Sequence, residues 1–307
     1  MNKLQVRNSF LLFAAAFIWG TAFVAQSVGM EYIEPFTFSA ARSLIGSAFL
    51  VPCIFILGRQ KNRKRAIKKE DRKELLKGGL VCGVVICIAA NLQQVAMLYA
   101  SVGKSGFLTA LYIVIVPLIG ILIGRKPGAK LCIAVVCATV GLYLLCMKSG
   151  DFSLGFGDAL LLLCAVMFSI HILVIDYFTQ RVDGVKLSCL QFLVCGVLSL
   201  VLMLLFEAPS FSAVCKAWMP LFYTGVLSSG VAYTFQIVGQ KGLNPVVASL
   251  IMSLESVISA IAGWLVLDQI LSKREITGCA VMFAAIILAQ LPEKKLNNKF
   301  EPVKIGK

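Results

Sequence analysis

Apolar runs of about 20 residues recur almost from end to end of this 307-residue chain, and each can cross a ~30 Å hydrocarbon core as a helix. No water is present there to satisfy free backbone groups, so such runs cannot be loops or open strands. The chain therefore reads as all-α, a polytopic membrane helix bundle with about ten transmembrane helices. The pattern predicts spans at 9–28, 35–57, 75–98, 104–123, 131–147, 156–178, 187–206, 217–239, 245–266 and 275–291. Composition agrees, with 59% hydrophobic and 14% charged residues against roughly 45–50% apolar in a soluble domain.

The formal charge of +14 raises the question of nucleic acid, and its placement answers it. With the N-terminus in the cytoplasm, 23 of the 29 basic residues fall on the cytoplasmic side, ten of them from Arg59 to Lys77. Such a Lys/Arg excess marks cytoplasmic segments. It fits an even number of spans, both termini in the cytoplasm and a cytoplasmic-membrane location. No nucleic-acid partner is expected. The first run follows Lys3 and Arg7 as a signal peptide would, but nine further spans follow and no soluble domain does, so it reads as a helix of the mature protein. Ten of the eleven cysteines lie in spans and no C-x-x-C pair occurs, so neither a disulfide framework nor a metal site is expected, and no cofactor.

Ten spans divide five and five at Lys148 to Gly155, and an odd number of crossings inverts the second half relative to the first. The expected units are 1–147, 148–291 and a cytoplasmic tail 292–307. A shift of 139 places Gly103, Leu111 and Gly124 on Gly242, Leu250 and Gly263, and Pro117 on Ser256. The short, Gly-flanked fourth and ninth spans share this layout. In secondary transporters paired, broken segments of this kind lie at a midplane site between repeats.

Trp19-Gly20-Thr21-Ala22-Phe23, Pro35 with Arg42 seven residues on, Gly157-Asp158, and Ser253-Leu254-Glu255-Ser256-Val257 followed by Gly263-Trp264 occur in a familiar order. Over roughly residues 9–291 the chain resembles the EamA-type drug/metabolite transporters. The resemblance implies two inverted five-helix repeats round a central cavity, cytoplasmic termini, and secondary transport of amino acids or related metabolites, commonly as export. The sequence departs from the pattern twice. Asp268-Gln269 stands where Gly-Glu is usual, and Ser256 replaces a Pro, which implies a less kinked ninth helix because its backbone N–H is retained.

An ionised carboxylate near the middle of a span costs roughly 3 kcal/mol on insertion scales unless it meets a cavity or partner, which makes Glu255 the first candidate. It is read as a contact for a substrate amine, a carrier of protons, or a helix-fixing group. Arg42, inside the second span, stays charged and needs an acceptor: a substrate carboxylate, helix carbonyls or Glu255. The single histidine, His171, suits either proton coupling or an interhelical hydrogen bond. Asn91, Gln93 and Gln94 in the third span, Gln191 in the seventh, and Tyr233 and Gln236 in the eighth either bond between helices or line a cavity. Trp19 joins the candidates through the motif it opens. The expected partners are a small-molecule substrate, with protons as a coupling ion to be tested, and the lipid bilayer.

Other classes fit less well. Gly155-Phe156-Gly157-Asp158 matches the G-x-G-D string of intramembrane aspartyl proteases, but the other span aspartate, Asp176, lies eighteen residues along the same helix, about 27 Å away at 1.5 Å per residue. Asp158 reads instead as a carboxylate at a helix N-terminus. Gly103-Lys104-Ser105 ends like a phosphate loop, but Leu98 occupies the place of its first Gly. An enzyme is not expected. A channel would need a filter or a ring of charges, and a scaffold would need larger loops.

Overall fold

The computed structural model describes residues 3–62, 72–100, 102–125, 127–146, 155–267 and 272–291. Among them there is no strand. The helices are α1 (Lys3–Gly29), α2 (Pro35–Asn62), α3 (Arg72–Ala96), α4 (Val102–Ala110), α5 (Tyr112–Leu122), α6 (Ala129–Cys146), α7 (Phe156–Thr179), α8 (Gly184–Phe206), α9 (Phe211–Lys216) and α10 (Trp218–Phe222). A π-helical segment, Tyr223–Ala232, leads into α11 (Tyr233–Gln240), followed by α12 (Pro245–Met252), α13 (Leu254–Leu267) and α14 (Lys273–Gln290).

Seven helical stretches of the described residues are long and apolar enough to cross a membrane, and Ala129–Leu145 and Pro245–Ser259 are shorter apolar helices. Large apolar side chains such as Phe10, Phe55, Leu122, Leu204 and Phe283 point outward, as they do where lipid replaces water as solvent. The chain is a multi-pass membrane protein. The middle of the basic stretch after α2, the segment 147–154, Asp268-Gln269 and the tail lie outside the described residues, as do the side chains of Lys104 and Trp264.

Small residues set the packing. On α3, Gly78 meets Phe178 and Leu187, Gly79 meets Leu190, and Gly83 meets Val194, so α7 and α8 close on α3 at backbone distance. Where α6 crosses α14, a Cβ on Gly141 would lie 2.8 Å from the Gly278 carbonyl oxygen, and one on Gly278 would lie 2.6 Å from the Gly141 oxygen. The contact is reciprocal. Other helices distant in sequence pack likewise: α2 packs on α8, α3 packs on α7 and α8, and the π-helical segment packs on α1 and α2.

The stretch expected as the fourth span is interrupted at Leu111, between α4 and α5, and the stretch expected as the ninth at Ser253, between α12 and α13. Ser256 keeps its N–H, yet the ninth span still breaks. The hydroxyls of Ser249 and Ser253 donate to the carbonyls of Val246 (2.9 Å) and Leu250 (2.8 Å), back-bonds of the kind that bend helices. Ser256 N turns to the Ser253 carbonyl at 3.2 Å, a tightened turn at the break. A short helix absent from the hydropathy pattern, α9, fills the connection after α8; at 6 residues it is too short to register as an apolar period. Helices α1 and α8 start several residues before the predicted spans because regular hydrogen bonding runs on past the apolar core.

Candidate functional site

The two breaks meet. Tyr112 is the first residue of α5, Glu255 lies in the first turn of α13, and the Tyr112 hydroxyl donates to Glu255 Oε1 at 3.1 Å. Both side chains line a partly open cavity. Gly20 brings α1 against this corner: a Cβ there would lie 2.6 Å from the Glu255 carbonyl oxygen and 2.8 Å from Ile258 Cβ. The position therefore accepts no side chain without moving α1 from α13.

Across the cavity, Arg42 projects from α2 and is 6% exposed. Its Nη1 donates to Gln26 Oε1 at 3.0 Å, and the guanidinium lies 5.9 Å from the centre of the Phe38 ring. Nε makes no hydrogen bond with protein. Arg42 and Glu255 form no ion pair among the described residues, each being held by a neutral side chain.

Trp19, Tyr233 and Gln93 also line the cavity. The rings of Trp19 and Tyr233 are 4.7 Å apart, and Tyr233 stands edge-on to Phe192 at 5.0 Å. Tyr233 follows directly on the π-helical segment, whose extra residues per turn change the direction that later side chains face; such segments recur at functional sites. Gln93 Nε2 donates to the Thr109 hydroxyl at 3.3 Å, and the buried Gln236 lines the wall with its Oε1 unpaired.

The remaining expected residues sit behind this wall. His171 Nε2 bonds Gln191 Oε1 at 3.1 Å, and its ring stands edge-on to Tyr233 at 6.0 Å, one layer from the cavity. Asn91 Nδ2 donates to the Cys87 carbonyl and the Ser199 hydroxyl, both at 2.8 Å, tying α3 to α8. Gln94 is fully buried, and neither of its amide atoms has a protein partner. Asp158 Oδ2 accepts from Gly155 N at 2.7 Å at the start of α7, a position favoured by the helix dipole.

Gln26, Thr109, Tyr112 and Ser228 line the cavity without having stood out in the sequence. Each is neutral within an apolar run and carries no charge that demands an explanation. The available signal was weak: Gln26 and Tyr112 are bulky polar groups in otherwise apolar stretches.

A multi-pass bundle round a partly open cavity that mixes apolar walls with Arg42 and Glu255 has the layout of a membrane transporter. The model of the EamA-like transporter family matches residues 7–147 and again 155–291, and the chain belongs to this family. An uncharacterized transporter of Archaeoglobus fulgidus is 26% identical over 277 residues, covering 90% of this chain and 83% of the relative. The uncharacterized transporter YoaV of Bacillus subtilis is 25% identical over 282 residues, covering 90% and 94%. A solved crystal structure with 18% identity covers 92% of this chain and 96% of its own, with a TM-score of 0.75, and shares the fold. The protein is a membrane transporter by family.

Proposed function

We propose that this protein is a secondary carrier that moves a small zwitterionic metabolite, an amino acid or a close relative, across the cytoplasmic membrane by alternating access. The observation that carries the reading is the pair Arg42 and Glu255: a cationic and an anionic group face one cavity and leave each other free. A substrate carrying both a carboxylate and an amine satisfies both. One guanidinium cannot balance several phosphates, so sugar nucleotides and sugar phosphates suit the cavity poorly. The aromatic wall of Trp19, Phe23 and Tyr233 accepts an apolar body.

The ten spans form two inverted repeats, 1–147 and 148–291, with the tail 292–307 and the N-terminus in the cytoplasm. The double family match, the paired breaks at Leu111 and Ser253, and the reciprocal crossing at Gly141 and Gly278 support this reading. Transport runs as export. Glu255 binds the substrate amine and exchanges it for a proton, and His171, Gln191 and Asn91 brace the helices behind the wall.

Counterflow in proteoliposomes, with a panel of amino acids and related metabolites and with or without a pH gradient, tests the proposal. Saturable exchange is expected in the wild type and loss of exchange in Glu255→Gln at unchanged folded yield. Equal exchange in the variant removes Glu255 from the mechanism. No exchange of any panel member by folded protein overturns the substrate class.

A further inference from the structure

We propose that Gln26 is the specificity-determining neighbour of Arg42: its neutral amide holds the guanidinium in place while leaving its positive charge for the substrate carboxylate. This rests on the zwitterion reading of the cavity. Gln26 projects from α1 and is 5% exposed, and both residues line the cavity wall. Its Oε1 accepts from Arg42 Nη1 at 3.0 Å, which fixes one corner of the planar fork. Phe38 lies against the guanidinium, and Nε remains buried without a protein partner. A guanidinium presents five donors and binds a carboxylate through two parallel ones, so a fork fixed at one nitrogen still has donors to offer.

The chemistry of position 26 then sets which charges the cavity accepts. A carboxylate in place of the Gln26 amide would sit at the same 3.0 Å from Nη1 and form a charge-assisted pair with Arg42. The substrate carboxylate would lose its counter-charge, and Glu255 would remain as the free charge. The cavity would pass from accepting zwitterions to accepting amines. Gln26 is a positioning and selectivity residue here, because it acts on the substrate through Arg42.

The test uses three probes that share one apolar body: leucine, isoamylamine, which lacks the carboxylate, and isocaproate, which lacks the amine. Thermal shift of the purified full-length protein and counterflow are measured for wild type, Gln26→Glu and Gln26→Asn. Wild type is expected to be stabilised most by leucine. Gln26→Glu is expected to lose at least tenfold in leucine affinity, to stop responding to isocaproate and to bind isoamylamine several-fold tighter. Gln26→Asn, which stays neutral but is one methylene too short, is expected to weaken leucine binding with no gain for the amine. Gln26→Glu that binds all three probes as wild type does overturns the inference while leaving the zwitterion reading intact. Should Gln26→Glu fail to fold, wild-type leucine affinity in Gln26→Asn overturns it equally. A wild type that binds isoamylamine or isocaproate as tightly as leucine overturns the zwitterion reading and this inference with it.

Discussion

Tyr112 and Glu255 join the breaks of two spans far apart in the chain through one hydrogen bond of 3.1 Å. At both interruptions the backbone tightens into i to i+3 bonds, Leu111 N to the Leu108 carbonyl and Ser256 N to the Ser253 carbonyl, and the side-chain bond joins the two at the cavity wall. Removing only the donor, as in Tyr112→Phe, keeps the ring and leaves the carboxylate one partner short, a loss of about 1–3 kcal/mol for a buried acceptor. Counterflow turnover is expected to fall at least about fivefold, equivalent to roughly 1 kcal/mol, with folded yield little changed. Wild-type turnover would place the bond outside the transport cycle.

Gly20 and Gly106 form a matched pair for testing close packing. A methyl group on Gly20 meets the Glu255 carbonyl and Ile258 at under 3 Å, whereas one on Gly106 meets nothing within 4 Å. Gly20→Ala must push α1 from α13 and is expected to destabilise by about 1–3 kcal/mol, the usual range for overpacking, and to slow transport. Gly106→Ala, inside α4, is expected to be neutral or to stabilise by up to about 1 kcal/mol. Thermal unfolding in detergent reads both, and equal midpoints for the two variants would remove the packing argument.

These residues show how far the sequence was legible. The all-helical bundle could be read because hydrocarbon forces every apolar run into a helix, and Arg42 and Glu255 because a charge inside a span demands a reason. Which face each span turns inward could not be read. Helices that are apolar on all sides carry little periodicity, so Gln93 reached the cavity while its neighbour Gln94, on an adjacent face, did not. Gln26 and Tyr112 were missed for the same reason. The break at Ser253 was concealed by the absence of Pro, its cause being serine back-bonding.

Glu207 follows the last residue of α8, and its carboxylate accepts from Phe36 N, Thr37 N and the Thr37 hydroxyl, each at 2.7 Å. It satisfies backbone donors at the start of α2, where the helix dipole also favours negative charge. Glu207→Ala is expected to destabilise by about 2 kcal/mol, in the range of hydrogen bonds to a charged group, and to speed hydrogen exchange at the first amides of α2. Unchanged exchange at Phe36 and Thr37 would count against the carboxylate as their cap.

The charge asymmetry makes a separate prediction about orientation. Reporters fused after Lys307 and inserted between Arg63 and Lys68 are both expected in the cytoplasm, since the basic residues concentrate on that side. An external signal from either site would overturn the even-numbered topology.

Arg125 follows α5 in the first half of the chain and Asp176 lies in α7 of the second, and Arg125 Nη2 meets Asp176 Oδ2 at 2.9 Å. The pair ties the proposed repeats together at the end of the bundle where α7 runs into α8. The side chains are 37% and 15% exposed, so solvent screens the attraction and its contribution is of the order of 1 kcal/mol or less. A contact this weak can open once per transport cycle without a prohibitive barrier. Asp176→Asn and Arg125→Gln are each expected to lower the unfolding midpoint slightly and to change transport in the same direction. The exchange Arg125→Asp with Asp176→Arg is expected to recover most of both effects. A double-mutant cycle with a coupling energy near zero in both stability and transport would show that the two charges are neighbours without a shared role.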